Sequence, residues 1–142
     1  MFKHILVPID DSEPSRRAAE AAIALAHACR ASLTALSVIL PERAESYVWD
    51  THGRRSSDVG AAMDICLDGV QQAADAAGVP CTCRRSQAGE PWDAIVQAAH
   101  TYDCDLIVMG THARGGLARV LLGSQAQSVL SHTNTPVLVC PP

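Results

Sequence analysis

Leu106-Ile107-Val108-Met109-Gly110-Thr111-His112-Ala113-Arg114-Gly115-Gly116 is the stretch on which the reading of this chain turns. The run Leu106 to Met109 is uniformly apolar, as a strand buried on both faces would be. It passes directly into glycines, and Leu121-Leu122-Gly123-Ser124 then opens a helical pattern. Glycines let a backbone approach an anion closely, loop amides can point inward, and a helix start offers unpaired N–H groups with partial positive charge. The stretch is not a nucleoside-triphosphatase loop, because no Gly-Lys-Ser/Thr follows. Nor is it the dinucleotide fingerprint, whose glycine spacing and downstream acidic residue are missing. The spacing alone leaves two readings open: a phosphate-holding loop, or a plain turn that binds nothing.

Outward from this stretch, strands and helices alternate. His4 to Ile9 is a continuous apolar run and reads as a buried strand. Asp10-Asp11-Ser12 ends it, with Ser12 suited to cap a helix and Pro14 to sit in its first turn. Ala18, Ala22, Leu25 and Cys29 form one helical face. Ser32 to Leu40 reads as a second strand, and the polar stretch Pro41 to Ser57 as a long loop. Met63, Cys66, Val70, Ala73 and Ala77 mark a second helix, ended by Gly78. Val79 to Gln87 is a more polar strand, suited to an edge. Pro91 opens a third helix with Ile95, Ala98, Ala99 and Tyr102 on one face. Asp105 to Met109 is the fourth strand; Leu122, Ala126, Val129 and Leu130 line the inner face of a fourth helix; Pro136 to Cys140 is the last strand. This order predicts an α/β fold, a doubly wound five-stranded parallel sheet with helices on both faces. Ligands of such sheets bind beyond the carboxyl ends of strands, where the winding reverses. Both Asp10 and the glycine loop lie at strand ends of that kind.

Composition narrows the function. The 142 residues suit one domain, 1–142, and 48% hydrophobic against 18% charged residues describes a globular chain. The formal charge of −4, no basic run, and only Phe2, Tyr47, Trp49, Trp92 and Tyr102 as aromatics argue against nucleic acid as a partner. The N-terminus runs straight into a strand pattern with no visible signal peptide, and Ala18 to Cys29 is too short to span a bilayer; the expectation is a cytoplasmic protein with no membrane partner. The six cysteines then default to reduced thiols. Cys81 and Cys83 alternate along a strand and share a face, but no second Cys/His pair has ligand spacing around them, so no metal is expected.

Four separated segments carry a family resemblance. Ile5-Leu6-Val7-Pro8-Ile9-Asp10-Asp11-Ser12, Gly89-Glu90-Pro91-Trp92-Asp93-Ala94-Ile95, Asp105 through Ser124, and Thr135-Pro136-Val137-Leu138-Val139 together make the chain resemble a single-domain universal stress protein over essentially its whole length. The family's nucleotide signature is G-x-x-G-x9-G-S/T. Gly110, Gly123 and Ser124 match it in register, and Ala113 stands where the second glycine would be.

The resemblance implies strand order 3-2-1-4-5, an adenine nucleotide alpha-hydrolase-like fold, and a site for ATP or AMP, with or without Mg2+, between strands one and four. By position, Pro8 and Val38 would border the adenine and Asp10 would face the ribose or a metal. Met109, Gly110, His112, Ala113, Arg114 and Gly115 would wrap the ribose and phosphates. Gly123, Ser124 and Gln125 would donate to phosphate oxygens. Asp10 can equally serve as a loop-capping carboxylate and Ser124 as a plain helix cap. Arg114 either pairs with phosphate or is solvated. If position 113 needs positive φ, its β-carbon costs roughly 1 kcal/mol, and about 1.4 kcal/mol is tenfold in affinity. The resemblance also implies a homodimer through the Pro136–Cys140 strand. No catalytic residue stands out: there is no clear base to orient water and no lysine in the phosphate loop, so at most slow or partner-dependent hydrolysis is expected. The rival reading is a non-enzymatic dimeric interaction protein whose nucleotide site is vestigial.

Overall fold

The computed structural model describes residues 1–39, 58–111 and 123–141. Its elements are β1 (His4–Ile9), α1 (Glu13–Cys29), β2 (Ser32–Ile39), α2 (Asp58–Ala76), β3 (Cys81–Gln87), α3 (Pro91–Thr101), β4 (Leu106–Gly110), α4 (Ser124–His132) and β5 (Val137–Cys140). All strand pairs are parallel, in the order β3-β2-β1-β4-β5 expected from the sequence.

Each strand's two faces feed two apolar layers, which is why β1 and β4 read as unbroken hydrophobic runs. Ile5, Val7, Ile9, Leu33 and Ala35 pack with Ala18, Ala22 and Ala26 of α1 and Leu67, Val70 and Ala74 of α2. On the other face Leu6, Leu36, Ile107 and Met109 pack with Ile95, Ala98 and Ala99 of α3 and Ala126 and Val129 of α4. The alanine stripe lets α1 lie close across β1 and β4.

Local chemistry sets the boundaries. Ser12 caps α1 with extended backbone (φ −84°, ψ 156°), its hydroxyl accepting the Ser15 N–H at 3.2 Å, and Pro14 sits in the first turn. At the far end Arg30 adopts the left-handed region (φ 56°) and donates its N–H to the Ala26 and His27 carbonyls, a cap the sequence did not advertise. Gly78, at φ +71°, follows α2 where a stop was expected.

Several edges shift from expectation. β4 starts at Leu106 because Asp105 is a clasp: its carboxylate accepts the Lys3 and His4 N–H groups at 2.8 and 3.0 Å. Burial alone would push that carboxyl up; the N–H donors of His4 and Lys3 outweigh it and hold it below the usual range. At its other end β4 extends to Gly110, which pairs with Cys140. β3 begins at Cys81 and β5 at Val137, each later than expected. The expected long loop 41–57 lies outside the described residues, as does Leu122.

One core assignment is corrected. Leu130 does not line the inner face of α4 but is 43% exposed. The nine-residue helix buries Ala126 and Val129; Leu130, one step of about 100° beyond Val129, rotates away from the sheet.

All six cysteines are free thiols, Cys104 buried and the others half-buried. Cys81 and Cys83 do share a face, turned into the α1/α2 layer. Among the described residues no group of three His, Cys, Asp or Glu is placed to hold a metal ion, and no helix is long and apolar enough to cross a membrane.

Candidate functional site

β1 and β4 are neighbours at the centre of the sheet, yet β1 leaves into α1 on one face and β4 precedes α4 on the other. That reversal opens a crevice at their carboxyl ends. Its first wall is a knot of three side chains at the start of α1. The Asp10 N–H donates to Ser15 Oγ at 2.8 Å, the Ser12 N–H to Asp10 Oδ1 at 2.8 Å, and the Ser15 N–H to Ser12 Oγ. Asp10 therefore does cap its loop, one of the two roles the sequence allowed.

The second wall is the end of β4. Gly110 lies so close under α1 that an added Cβ would fall 2.6 Å from the Pro14 carbonyl carbon. Only glycine lets β4 and the first turn of α1 meet here. The third wall comes from the helices of the opposite face. Gln125, in the first turn of α4, accepts the Trp92 N–H on its Oε1 at 2.9 Å, which ties the starts of α3 and α4 together. Trp92 in turn stacks on His132, with ring centroids 4.2 Å apart. Gly123 precedes α4 and has no side chain with which to cap it. Its dihedrals, φ −59° and ψ 155°, are open to any residue, so the turn itself does not call for glycine.

These walls enclose a cavity of about 230 Å³. Of the residues singled out in the sequence, Pro8, Asp10, Val38, Met109, Gly110 and Gln125 all line it. Gly123 and Ser124 stand at the start of the helix that carries Gln125, with Ser124 exposed. His112, Ala113, Arg114 and Gly115 lie outside the described residues. Sequence reading missed Ser12 and Ser15 as wall residues, and Leu36, Met63, Pro91 and Ile95 as apolar lining. The Ser12-x-x-Ser15 spacing after a strand end was the available signal for the knot; the apolar lining had none, because those residues read simply as core. The arrangement offers an apolar slot, one carboxylate at its mouth and three helix starts beside it. It presents no nucleophile–base pair among the described residues.

Comparison with known proteins agrees with this layout. A family model described as the universal stress protein family matches residues 1–141. A universal stress protein of Thermus aquaticus is 34% identical over 139 residues, covering 98% of each chain. One of Methanocaldococcus jannaschii is 33% identical over 146 residues, covering 98% of this chain and 82% of the relative. Among solved structures, a universal stress protein in complex with cAMP superposes with a TM-score of 0.74 at 26% identity, covering 99% of this chain and 97% of that one.

Proposed function

The chain belongs to the universal stress protein family, and from that premise we propose that it binds an adenine nucleotide, ATP or AMP, at the carboxyl ends of β1 and β4. The observation that carries the reading is the cavity at the winding reversal, where six residues chosen from sequence converge. Its walls suit the parts of such a ligand. Pro8, Val38 and Met109 offer apolar surface to a base, the Asp10 carboxylate suits a ribose or Mg2+, and the N–H groups after Gly123 suit phosphate oxygens. At about 230 Å³ the cavity sits just below the usual range of about 300–1,000 Å³, so it suits base and ribose while the phosphates extend toward the start of α4. With its side-chain oxygen accepting from Trp92, the donors of Gln125 that suit a phosphate are its side-chain NH2 and its backbone N–H. The cAMP complex of a 26% identical relative supports an adenine nucleotide over other anions.

In this reading the unit is one domain, 1–142, working in the cytoplasm in a stress response as a nucleotide-responsive homodimer. Hydrolysis is at most slow or dependent on a partner. The dimer forms through β5, an edge strand of Val137, Leu138, Val139 and Cys140 that carries no charge, with Leu138 43% exposed. Leu138→Lys is expected to shift light scattering from dimer to monomer. Ala113 favours a second reading, an interaction protein with a vestigial site. Equilibrium dialysis against ATP and AMP, with and without Mg2+, separates the two: saturable binding near one nucleotide per chain supports the first, and none supports the second.

A further inference from the structure

On the opposite face of the sheet, α1 and α2 stand apart and leave a groove of about 510 Å³. Its α2 side is Ile65, Cys66, Gly69, Val70 and Ala73, residues at helical spacing on one stripe. Its floor and α1 side include Ile9, Ala19 and Ile23. Ile65 is 72% exposed, a large apolar side chain at the lip of an apolar trough. Gly69 widens it: among the described residues a Cβ there would meet nothing within 4 Å.

The rim is charged and one-sided. Asp10, Asp11, Glu13 and Glu20 border the groove, against Arg16 alone among its lining. Arg16 and Arg17 both pair with Glu13, at 2.5 and 3.6 Å, so the other carboxylates of the rim are Asp10, Asp11 and Glu20. Among the described residues no lysine lines it. The thiol of Cys66, inside the groove, is pushed up by burial and then by Asp11 and Asp10. An apolar trough of this volume with an anionic mouth matches a ligand that has a compact apolar body and a single positive head.

We propose that the groove between α1 and α2 is a second binding site, for a small amphiphilic organic amine whose tail lies between Ile23 and Val70 and whose ammonium sits against Asp11 and its neighbouring carboxylates. A small amine fits better than a basic helix, because the groove spans only the two α2 turns from Ile65 to Ala73, roughly 12 Å at 1.5 Å per residue. The site does not depend on the nucleotide reading, and it is tested without nucleotide.

The experiment is calorimetric titration of the full chain with decylammonium, decanoate and 1-decanol, all below their aggregation limits, so that head charge is the only variable. Decylammonium is expected to bind saturably at one per chain, with decanoate at least about tenfold weaker and decanol between them. Gly69→Leu, which fills the groove on an exposed helix face, is expected to abolish binding in a chain whose circular dichroism is unchanged. Asp11→Asn, at an exposed position, is expected to weaken the amine several-fold and leave decanol unaffected. Equal affinity for the three probes, no saturable amine binding, or undiminished binding by Gly69→Leu overturns the proposal.

Discussion

The 230 Å³ cavity on the α3/α4 side and the 510 Å³ groove on the α1/α2 side share Ile9, Asp10, Ser12 and Ser15 as a common wall, yet they are built from different parts. The smaller one is made by topology. Two adjacent strands wind to opposite faces, and their ends together with the starts of α3 and α4 leave a crevice whatever the side chains. The larger one is made by side chains. Two helices on one face fail to close because Gly69 is small and Ile65 points outward. A site of the first kind is set by backbone geometry and breaks when backbones are forced apart. A site of the second kind is tuned by single side chains and leaves the fold intact when changed.

The contact of β4 with the first turn of α1, beside that common wall, offers the strongest test. Gly110→Val puts a branched side chain against the Pro14 backbone, which cannot rotate out of the way as a side-chain end could. The expected cost is about 3 kcal/mol, at the upper end for overpacking, read as a lower urea midpoint at unchanged slope. Nucleotide affinity falls with it, because β4 and α1 no longer meet. A midpoint equal to that of the unmodified chain would show that α1 moves freely over β4 and that the wall is not rigid.

Gly123→Val separates the two sites. The dihedrals at Gly123 suit valine, so stability is expected to change by less than about 1 kcal/mol, the scale of a lost helix cap. The isopropyl group would stand where a phosphate approaches the N–H groups of α4, and AMP and ATP affinity is expected to fall at least about tenfold. Decylammonium binding in the groove is expected to stay as it was. Unchanged nucleotide affinity in this folded variant removes the start of α4 from the proposed site.

The same contrast explains what could be read from the sequence. The strand–helix alternation, the Ser12 cap, Pro14, Pro91 and Gly78 all act through local backbone rules, and they placed the elements; the strand order came from the family resemblance. Pro8, Asp10, Val38, Met109, Gly110 and Gln125 came together because they sit at strand ends or a helix start. What escaped was tertiary. Nothing in the sequence says that Gly110 is pressed against Pro14, that Gln125 reaches the Trp92 N–H, or that Leu130 turns outward on a short helix. The groove escaped for the same reason: the stripe Ile65 to Ala73 reads as an ordinary core face until α1 and α2 are seen to stand apart.

The two layers also carry one strongly perturbed thiol each, which gives a pH test. Burial, with Cys83 beside it, pushes Cys81 up to about 12, and burial followed by Asp105 and Asp103 pushes Cys104 up to about 11. Cys81 lies against the α1/α2 layer and Cys104 in the α3/α4 layer. Both thiols stay neutral in the folded chain after the unfolded chain, with its thiol pKa of about 8.5, has begun to ionise. Their contribution is therefore complete below about pH 8.5 and is lost as pH rises through the folded values. Urea midpoints are expected to fall from pH 9 to 11, and Cys81→Ala to flatten that fall at least as much as Cys104→Ala, because both windows open at the same unfolded value and the Cys81 window closes higher. An equal slope in all three chains would mean that neither thiol is held protonated by its layer.

The smallest effect comes from adding one methyl group to the groove. In a helix interior glycine is about 1 kcal/mol worse than alanine, through the extra freedom it gives the unfolded chain. At most helix glycines a packing contact opposes that gain, but at Gly69 an added Cβ meets nothing within 4 Å, and its φ is not in the left-handed region. Gly69→Ala is therefore expected to stabilise the chain by about 0.5–1 kcal/mol, seen as a higher urea midpoint. Nucleotide affinity should not move, since Gly69 lines only the α1/α2 groove. A methyl there narrows the trough without closing it, so decylammonium is expected to bind with an affinity within about twofold of the unmodified chain, in contrast to its loss with Gly69→Leu. The graded series from glycine through alanine to leucine is what a side-chain-built site requires. A destabilised Gly69→Ala chain would mean that the space beside α2 is filled in solution and that the groove is closed to ligand.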